Sequence, residues 1–407
     1  MTRRELVQRL TLMGLSLPVI AGIVAACGGS SSSTTAATSA SAATSASTAA
    51  ATAASSAGAS SATSASNPTA STGAATATQA PAAANFKGQT LVVTSYGGTW
   101  QQFMESDHVP DFEKQTGAKV QLAIGLAKDW FSKIRAAGKD NPPFDVVVMN
   151  ETYCAQLRQE GNFVTLPMDK VPNLANINPK LKMDNDVGVL GLVGPFGIAY
   201  RSDKITDPPQ SWLDLAKYGD KTGIYIIGNS AEPQHILMMA KILTGDYHNW
   251  MAGFNWIKDN LSKAKQVDFS GTLQTDLEQG EVSVAFIDSP DWALLKAKGL
   301  PVEFVIPKEG IGGMFEQNMN VTTGSKVKDL GYAFIDYWLS EPVQKKWAEK
   351  FYWTPANTQV QISGDAAKLI PVTAQNLDTV PRWDYLWLNS GPRDDMTNLW
   401  NREMTGS

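Results

Sequence analysis

The chain has 407 residues, with 34 Lys and Arg against 39 Asp and Glu, and a formal net charge of −5. This mildly acidic balance and the absence of a basic stripe argue against nucleic acid as a partner. Its three histidines, His108, His235 and His248, show no metal-ligand spacing. The composition therefore predicts neither a nucleic-acid-binding protein nor a histidine-based metal site.

Residues 1–27 have the pattern of an export signal. A basic front end that contains Arg3-Arg4 precedes an apolar run that is too short to span a membrane and is interrupted by Gly and Pro. The run ends in Val-Ala-Ala-Cys, which resembles a bacterial lipobox with Cys27 as the lipidated residue. We expect an exported protein anchored to the membrane through Cys27. The alternative is an ordinary cleaved signal, and the arginine pair leaves twin-arginine and general export both open.

Residues 28–85 contain no charged side chain and consist mainly of Ser, Ala and Thr. Such a segment has too little apolar mass to offset the entropy of ordering, so we expect a disordered linker. A folded part of about 320 residues begins near Phe86. With Cys27 lipidated, Cys154 has no partner for a disulfide and is expected to be a small buried residue.

The first part of the folded segment alternates predicted strands and helices. Short apolar runs at 91–96, 119–124 and 144–149 predict buried strands. Helices are predicted over 128–137 and 151–160. This alternation with nearly continuous apolar strands is typical of a parallel sheet covered on both faces.

A second series of strands and helices follows residue 187. The apolar, glycine-rich segment 187–200 predicts a long strand that crosses between two lobes, and 318–322 predicts a return crossing. The other elements predicted here cover residues 212–215, 223–227, 232–243, 249–263, 272–279, 282–287, 292–298, 302–306, 327–339 and 342–350. Two such series joined by crossing segments predict an α/β protein with two lobes and a cleft between them.

Ligands of open parallel sheets bind beyond the carboxyl ends of the strands. Four predicted strand ends combine small residues with aromatic or acidic ones, namely 95–100, 150–152, 229–232 and 288–292. Helix N-termini at these places offer backbone N–H groups to an anion, whereas carboxylates and aromatic faces suit a cation. The residues by themselves leave the charge of the ligand open.

Several stretches carry a family resemblance, and they run in one order across nearly the whole folded part. They are FEKQTGAKV (112–120), FDVVVMNETY (144–153), LRQEGNFVTLPMDKVPNLANINP (157–179), FGIAYRSDKI (196–205), PQSWLDL (209–215), FVIPKEG (304–310) and FIDYWLSEPVQKKWAEKFYWTPAN (334–357). The chain resembles the periplasmic spermidine/putrescine-binding proteins of ABC importers. The resemblance implies the type 2 periplasmic-binding fold, with lobe 1 over 86–194 plus about 320–407 and lobe 2 over 195–319.

The resemblance also implies ligand-binding positions in the first lobe. The family's aromatic wall after the first strand falls on Tyr96, with Trp100 beside it. The loop after the third strand falls on Asn150 to Tyr153, and Glu151, Thr152 and Tyr153 are the ligand-binding residues expected there.

Four ligand-binding positions are implied in the second lobe. The family's acidic residue at the start of a helix falls near His235, with Glu232 close by. The turn after the predicted strand 282–287 offers Asp288 and Trp292.

The stretch after Pro-Lys-Glu-Gly departs from the polyamine binders. The family's tryptophan and aspartate fall on Met314 and Glu316, so the charge is kept but the stacking ring is absent. We therefore expect a small cationic, polyamine-like solute. A zwitterion such as an amino acid or opine-like compound is the alternative, with its carboxylate at the helix start near Ser230 and its amine on Glu316 or Asp288.

The expected function is the solute-binding component of an ABC importer, which captures its solute by closure of the lobes and delivers it to the permease. An exported enzyme is a competing hypothesis, but the sequence has no GxSxG, HExxH or Walker motif. A ferric-ion binder is another, but Tyr153-Cys154 stands where such proteins place two tyrosines. A sensory role, in which the protein presents its ligand to a membrane receptor, is a third competing hypothesis. We expect a monomer without cofactor, metal or catalysis, in the periplasm or on the outer face of the membrane.

Overall fold

The computed structural model of the protein describes residues 85–405, apart from the side chain of Asp378. The predicted signal with Cys27, and the predicted linker as far as residue 84, lie outside the described residues. Within the described range, no helix combines the length and the apolar composition needed to cross a membrane.

One connected sheet runs through the described part of the chain. Its strands are β1 (Thr90–Ser95), β2 (Lys119–Ile124), β3 (Val146–Met149), β4 (Phe163–Val164), β5 (Val189–Arg201), β6 (Thr222–Tyr225), β7 (Lys265–Val267), β8 (Val284–Asp288), β9 (Val302–Val305), β10 (Met314–Thr322) and β11 (Thr354–Pro355). The main order is β2-β1-β3-β10-β5-β8-β6-β7. β4 pairs with β10, and β9 and β11 pair with β5.

The strand β5 belongs to both halves of this sheet. Its first part pairs antiparallel with β10, and its second part pairs antiparallel with β8 and β9. The parallel strands β1, β2 and β3 lie on one side, and the parallel strands β6, β7 and β8 lie on the other. These groups are the sheets of two lobes, and β5 connects them, which confirms the predicted two-lobed α/β fold.

The helices fill the connections between the strands. They are α1 (Thr99–Phe103), α2 (Val109–Thr116), α3 (Ala127–Ala137), α4 (Glu151–Gln159), α5 (Ala231–Thr244), α6 (Trp250–Leu261), α7 (Ser270–Gln279), α8 (Ser289–Ala297), α9 (Lys328–Leu339), α10 (Glu341–Phe351), α11 (Gly364–Leu369), α12 (Tyr385–Asn389) and α13 (Pro392–Trp400). Most bounds agree with the sequence-based expectation within a few residues. Two differences affect the site: β7 was not predicted, and β10 begins at Met314 rather than at residue 318.

Each lobe has its own hydrophobic core. In the first lobe, β3 buries Val146 and Val148 on one face and Val147 and Met149 on the other, as expected for a parallel strand covered on both faces. The core of the second lobe surrounds Phe286 and neighbouring aromatic rings.

The last described residues pack differently from the expected lobe boundary. Five of their side chains belong to the second-lobe core, namely Trp383, Tyr385, Leu388, Met396 and Trp400. The expected lobe 1, whose second part extends from about residue 320 to residue 407, includes these residues. The strand–helix alternation ends before these residues, so the sequence pattern holds no signal for the lobe on which they pack.

We predict that Gly253→Ala lowers the free energy of unfolding by about 1–3 kcal/mol. An added Cβ would lie 2.1 Å from the Ile236 carbonyl oxygen and 2.7 Å from the Ala240 nitrogen, both backbone atoms of the adjacent helix α5. Helix propensity alone predicts an increase in the free energy of unfolding, since Ala is favoured over Gly in a helix interior. Urea unfolding measures the difference.

Gly331→Ala in helix α9 is the matched control for this substitution. Its added Cβ would meet the side-chain methyl groups of Val146 and Val321 at 3.2 Å, and side chains can shift. A smaller loss is expected there. An increase in stability for Gly253→Ala would show that the backbones of α5 and α6 are not in fixed close contact.

Candidate functional site

A cavity of about 380 Å³ lies between the two lobes. Its walls follow the carboxyl ends of β1, β2, β3, β6, β7 and β8, as the rule for open parallel sheets predicts. The lining residues are Tyr96–Trp100, Leu126–Lys128, Asn150, Tyr153, Ile226, Gly228–Ser230, Asp268–Gly271, Gln274, Asp288, Asp291, Leu294, Phe315, Gln317, Phe351 and Trp353. The cavity can therefore contact a ligand with both lobes at once.

The first lobe gives the cavity an aromatic wall. The Trp100 and Trp353 rings meet edge to face with their centroids 5.5 Å apart, and Tyr96 lies 6.1 Å from Trp100. The Tyr96 hydroxyl donates a hydrogen bond of 2.9 Å to Oδ1 of Asn150. Burial raises the pKa of Tyr96 far above its ordinary value, so the hydroxyl stays neutral. This wall offers ring faces that suit a cation or an apolar chain.

The second lobe gives the cavity a pair of carboxylates. Asp288 ends β8 and caps helix α8, because its Oδ1 accepts a hydrogen bond of 3.1 Å from the Asp291 backbone nitrogen. The cap places the two residues within one helical turn, where both line the cavity. Oδ2 of each residue is buried and has no hydrogen-bond donor among the described residues. A third carboxylate, Asp268, lies exposed at the rim.

Burial makes the charge on this pair unfavourable when nothing binds it. The pKa of Asp288 is well above its ordinary value because of burial and the nearby Asp291. Burial also raises the pKa of Asp291 to about 6, against the lowering effect of hydrogen bonds from Ser270 and Gln274. In the described part of the chain, the pair therefore lacks a compensating cation, and its two Oδ2 atoms lack a donor.

The strand β10 forms the floor of the cavity with alternate side chains. Phe315 and Gln317 line the cavity, whereas Glu316 points to the opposite face of the strand. There, Glu316 Oε1 accepts a hydrogen bond from the Tyr385 hydroxyl, and burial raises its pKa to about 8. The residue expected to hold the amine is thus one position away from the residues that face the cavity.

A family model for bacterial extracellular solute-binding proteins matches residues 108–372. The chain belongs to this family. A probable ABC transporter periplasmic-binding protein of Sinorhizobium fredii is 28% identical over 286 residues, which are 67% of this chain and 76% of that protein. The spermidine/putrescine-binding periplasmic protein of Salmonella typhimurium is 25% identical over 274 residues, 64% of this chain and 77% of that protein.

Solved structures share the fold of this solute-binding protein. An ABC transporter from Clostridium perfringens is 27% identical, with a TM-score of 0.64 over 77% of this chain and 99% of that one. The resemblance seen in the sequence, and the fold it implied, are confirmed by these comparisons.

Four of the predicted ligand-binding residues line the cavity of this solute-binding protein, namely Tyr96, Trp100, Tyr153 and Asp288. Their positions follow from the strand ends, which the sequence located well. Trp100 shows only a small part of its surface, since its ring packs 4.3 Å from Trp347 in the first-lobe core.

The neighbours Glu151 and Thr152 do not line the cavity. Glu151 is buried in a two-bond ion pair with Arg158, with oxygen–nitrogen distances of 2.7 and 2.9 Å. The Thr152 carbonyl accepts a hydrogen bond of 2.7 Å from the Asn389 amide. The helix α4 turns these residues away from the face that carries Tyr153.

The predicted second-lobe residues Glu232, His235 and Trp292 are also directed away from the cavity. Glu232 Oε1 and His235 Nδ1 are 3.1 Å apart in the second-lobe core, where the His235 ring stacks on Phe286 at 4.4 Å. Trp292 stacks on Phe304 at 5.0 Å. Helix periodicity points each of them towards the sheet rather than the cleft.

Several lining residues lie where the sequence carries no strand-end signal. Asp268, Phe269 and Ser270 follow β7, a three-residue strand of sequence KQV that lacks the apolar run by which strands were located. Trp353 follows the last strongly periodic helix. Asp291 lies in a strand-end stretch that was noted, but it was not chosen as a site residue.

Two features of the cavity could serve an anionic group instead. Lys128 lies exposed at the start of helix α3, and Ser230 precedes helix α5. Asn229 Oδ1 already accepts a hydrogen bond of 2.9 Å from the Ala231 nitrogen at that helix start. Among the described residues, no group of three or more His, Cys, Asp or Glu side chains is arranged to hold a metal ion.

We predict that Asp291→Asn raises the free energy of unfolding at pH 7 by about 1–3 kcal/mol, and has little effect at pH 4. The pKa of Asp291 in the folded protein, about 6, is above the unfolded value of 3.8. The folded state therefore binds more protons between these pH values, and stability falls as pH rises through that window. Asparagine removes this loss.

Chemical unfolding at the two pH values measures the effect. Asp365→Asn is the control, since Asp365 is exposed and Lys368 lowers its pKa. That substitution should give no gain at pH 7. A gain for Asp291→Asn that is equal at both pH values would contradict the explanation by ionisation.

Proposed function

We propose that this protein is the solute-binding component of an ABC importer for a small organic cation that carries a primary amine. One observation carries the proposal: Asp288 and Asp291 present buried oxygens without donors, and they line the same cavity as the aromatic wall of Tyr96, Trp100 and Trp353. An ammonium group supplies three N–H donors and a positive charge, which are the two things that this carboxylate pair lacks.

The remainder of the cavity agrees with such a ligand. Its volume of about 380 Å³ suits a small molecule. Ring faces can hold the methylene chain and the charge of an amine, and Gln274 and Gln317 add polar contacts at the second lobe and the floor. The names of the relatives support a polyamine-like compound, at modest identity.

The proposed role includes partners and a place in the cell. Because both lobes line the cavity, closure of the lobes would exchange the water around the solute for protein groups, and the closed protein would deliver it to permease subunits. The proposed location is outside the cytoplasmic membrane, with Cys27 as a lipid anchor. We infer no catalytic role.

A zwitterionic solute is the second candidate. Lys128 and the start of helix α5 at Ser230 could bind its carboxylate while the Asp288–Asp291 pair binds its amine. The positive charge of Lys128 would repel the second ammonium group of a diamine, whereas it would attract the carboxylate of a zwitterion. The response to Lys128→Met therefore separates the two ligands.

We predict that putrescine binds to the wild-type protein and raises its melting temperature, and that Asp288→Asn weakens binding at least tenfold. Removing one buried carboxylate removes a charge-assisted hydrogen bond, and such a bond contributes about 1.5–3 kcal/mol. Isothermal titration calorimetry measures the affinity.

Asp365→Asn, on the exposed surface away from the cavity, should bind putrescine like the wild type. Lys128→Met should strengthen putrescine binding and weaken the binding of 4-aminobutanoate, its zwitterionic analogue. Tight binding of 4-aminobutanoate that is lost in Lys128→Met would favour the second candidate. Equal putrescine affinity in Asp288→Asn and the wild type would refute the amine site.

We predict that putrescine affinity rises between pH 5 and pH 7. Putrescine keeps its charge over this range, but the carboxylate pair must be ionised to bind it, and the pKa of Asp291 is about 6. Each proton released on binding makes the affinity fall about tenfold per pH unit below that pKa. Titrations at a series of pH values test this, and Asp291→Asn should make the dependence on pH less steep, because Asp288 alone then titrates. A wild-type profile that is flat from pH 5 to pH 7 would show that no proton leaves on binding.

A further inference from the structure

The described residues that follow Pro381 cross between the two lobes, and we call residues 382–405 the interlobe strap. The family match ends at residue 372, so the strap lies beyond the matched region. It contains helices α12 and α13. Its contacts alternate between the lobes along the chain.

Several strap residues hold the second lobe. Trp383 Nε1 donates a hydrogen bond of 3.2 Å to Gln234 Oε1, near the start of helix α5. Trp400 is fully buried, and its Nε1 donates a hydrogen bond of 3.0 Å to Gln266 Oε1 in β7. Buried tryptophans with satisfied N–H groups are strong anchors.

Other strap residues, which alternate with these along the chain, hold the first lobe. Arg382 donates a hydrogen bond to the Lys180 carbonyl. Asn389 Nδ2 donates one of 2.7 Å to the Thr152 carbonyl in helix α4. The Arg393 guanidinium lies 4.2 Å from the centroid of the Tyr153 ring, and Tyr153 itself lines the ligand cavity.

The strap also contacts the strand that forms the floor of the cavity. The Tyr385 hydroxyl donates a hydrogen bond to Glu316 Oε1, and both side chains are buried. Glu316 stands in β10 between Phe315 and Gln317, which line the cavity. Tyr385 therefore contacts the face of β10 that is opposite the cavity.

These contacts distinguish the strap from a tail that only covers one core. A tail of that kind would stabilise its own lobe and leave the angle between the lobes unchanged. The strap instead binds both lobes and the strand β10 that pairs with β5 between them. Any rotation of one lobe against the other must break part of this set.

We propose that the interlobe strap holds the two lobes in the arrangement in which both walls face one cavity, with Tyr385 and Arg393 as positioning residues. The strap then favours a preorganised site over more open arrangements, so that less free energy is spent on ordering when a solute binds. The statement about lobe arrangement does not depend on the identity of the solute. The statement about affinity rests on the proposed function.

The test compares distances between the lobes in the full chain. Spin labels are attached at Lys133→Cys in the first lobe and Lys263→Cys in the second, both exposed positions. The background is Cys27→Ser, and the other native cysteine, Cys154, is fully buried. Pulsed electron resonance without ligand should show a broader and longer distance distribution for Tyr385→Phe combined with Arg393→Ala than for the wild-type strap.

Tyr218→Phe is the matched control, because it removes a hydroxyl that donates 2.8 Å to the Asp207 carbonyl within one lobe. It should leave the distribution unchanged. Tyr385→Phe alone keeps the shape of the side chain, so its distance distribution is measured instead if the double variant does not fold. An unchanged distribution in a folded Tyr385→Phe variant overturns the proposal.

Putrescine kinetics provide the second measurement. The Tyr385→Phe variant should release putrescine about tenfold faster than the wild type, whereas Tyr218→Phe should release it at the wild-type rate. Release at the wild-type rate would contradict a positioning role for the strap. If the wild type binds no putrescine, the proposed function fails, while the ligand-free distances still decide the role of the strap.

Discussion

The antiparallel pairing of β5 with β10 is the constraint on which the rest of the molecule depends. The first part of β5 pairs with β10 and its second part pairs with β8 and β9, so the carboxyl ends of two separate sets of parallel strands face a single cavity. Without this pairing, each lobe would present its own strand ends and neither would enclose a ligand. The aromatic wall of one lobe and the carboxylates of the other meet because β5 is part of both lobe sheets.

The proposed binding role of the Asp288–Asp291 pair has a cost in the stability of the ligand-free protein. Asp288 is used as a helix cap, which fixes its backbone, yet its second oxygen is buried without a donor. Such groups lower the stability of the empty protein and are retained where a ligand compensates them. Glu151 is also buried, but both of its carboxylate oxygens accept hydrogen bonds from the Arg158 guanidinium, so that its charge is compensated inside the protein.

The strand ends of the site could be predicted, but the faces of the individual side chains were harder to assign. Tyr96 and Asp288 line the cavity, as their positions at predicted strand ends imply, because a strand end locates a loop whatever its register. Glu316 was predicted from the family resemblance, but it points away from the cavity because side chains alternate along β10, so that a single position decides the face. Asp268 was missed because β7 is a short edge strand with no apolar run.

The sequence by itself determined the two-lobed α/β fold, the crossing strand β5 and the loops that form the cavity, because apolar runs, helix periodicity and family stretches are local signals. Only the tertiary structure decided which carboxylates face the cavity and which are paired inside the protein. It also decided that residues 382–405 lie across both lobes. Those outcomes depend on contacts such as Tyr385 with Glu316, which lie 69 residues apart in the chain, and no local pattern records such a partner.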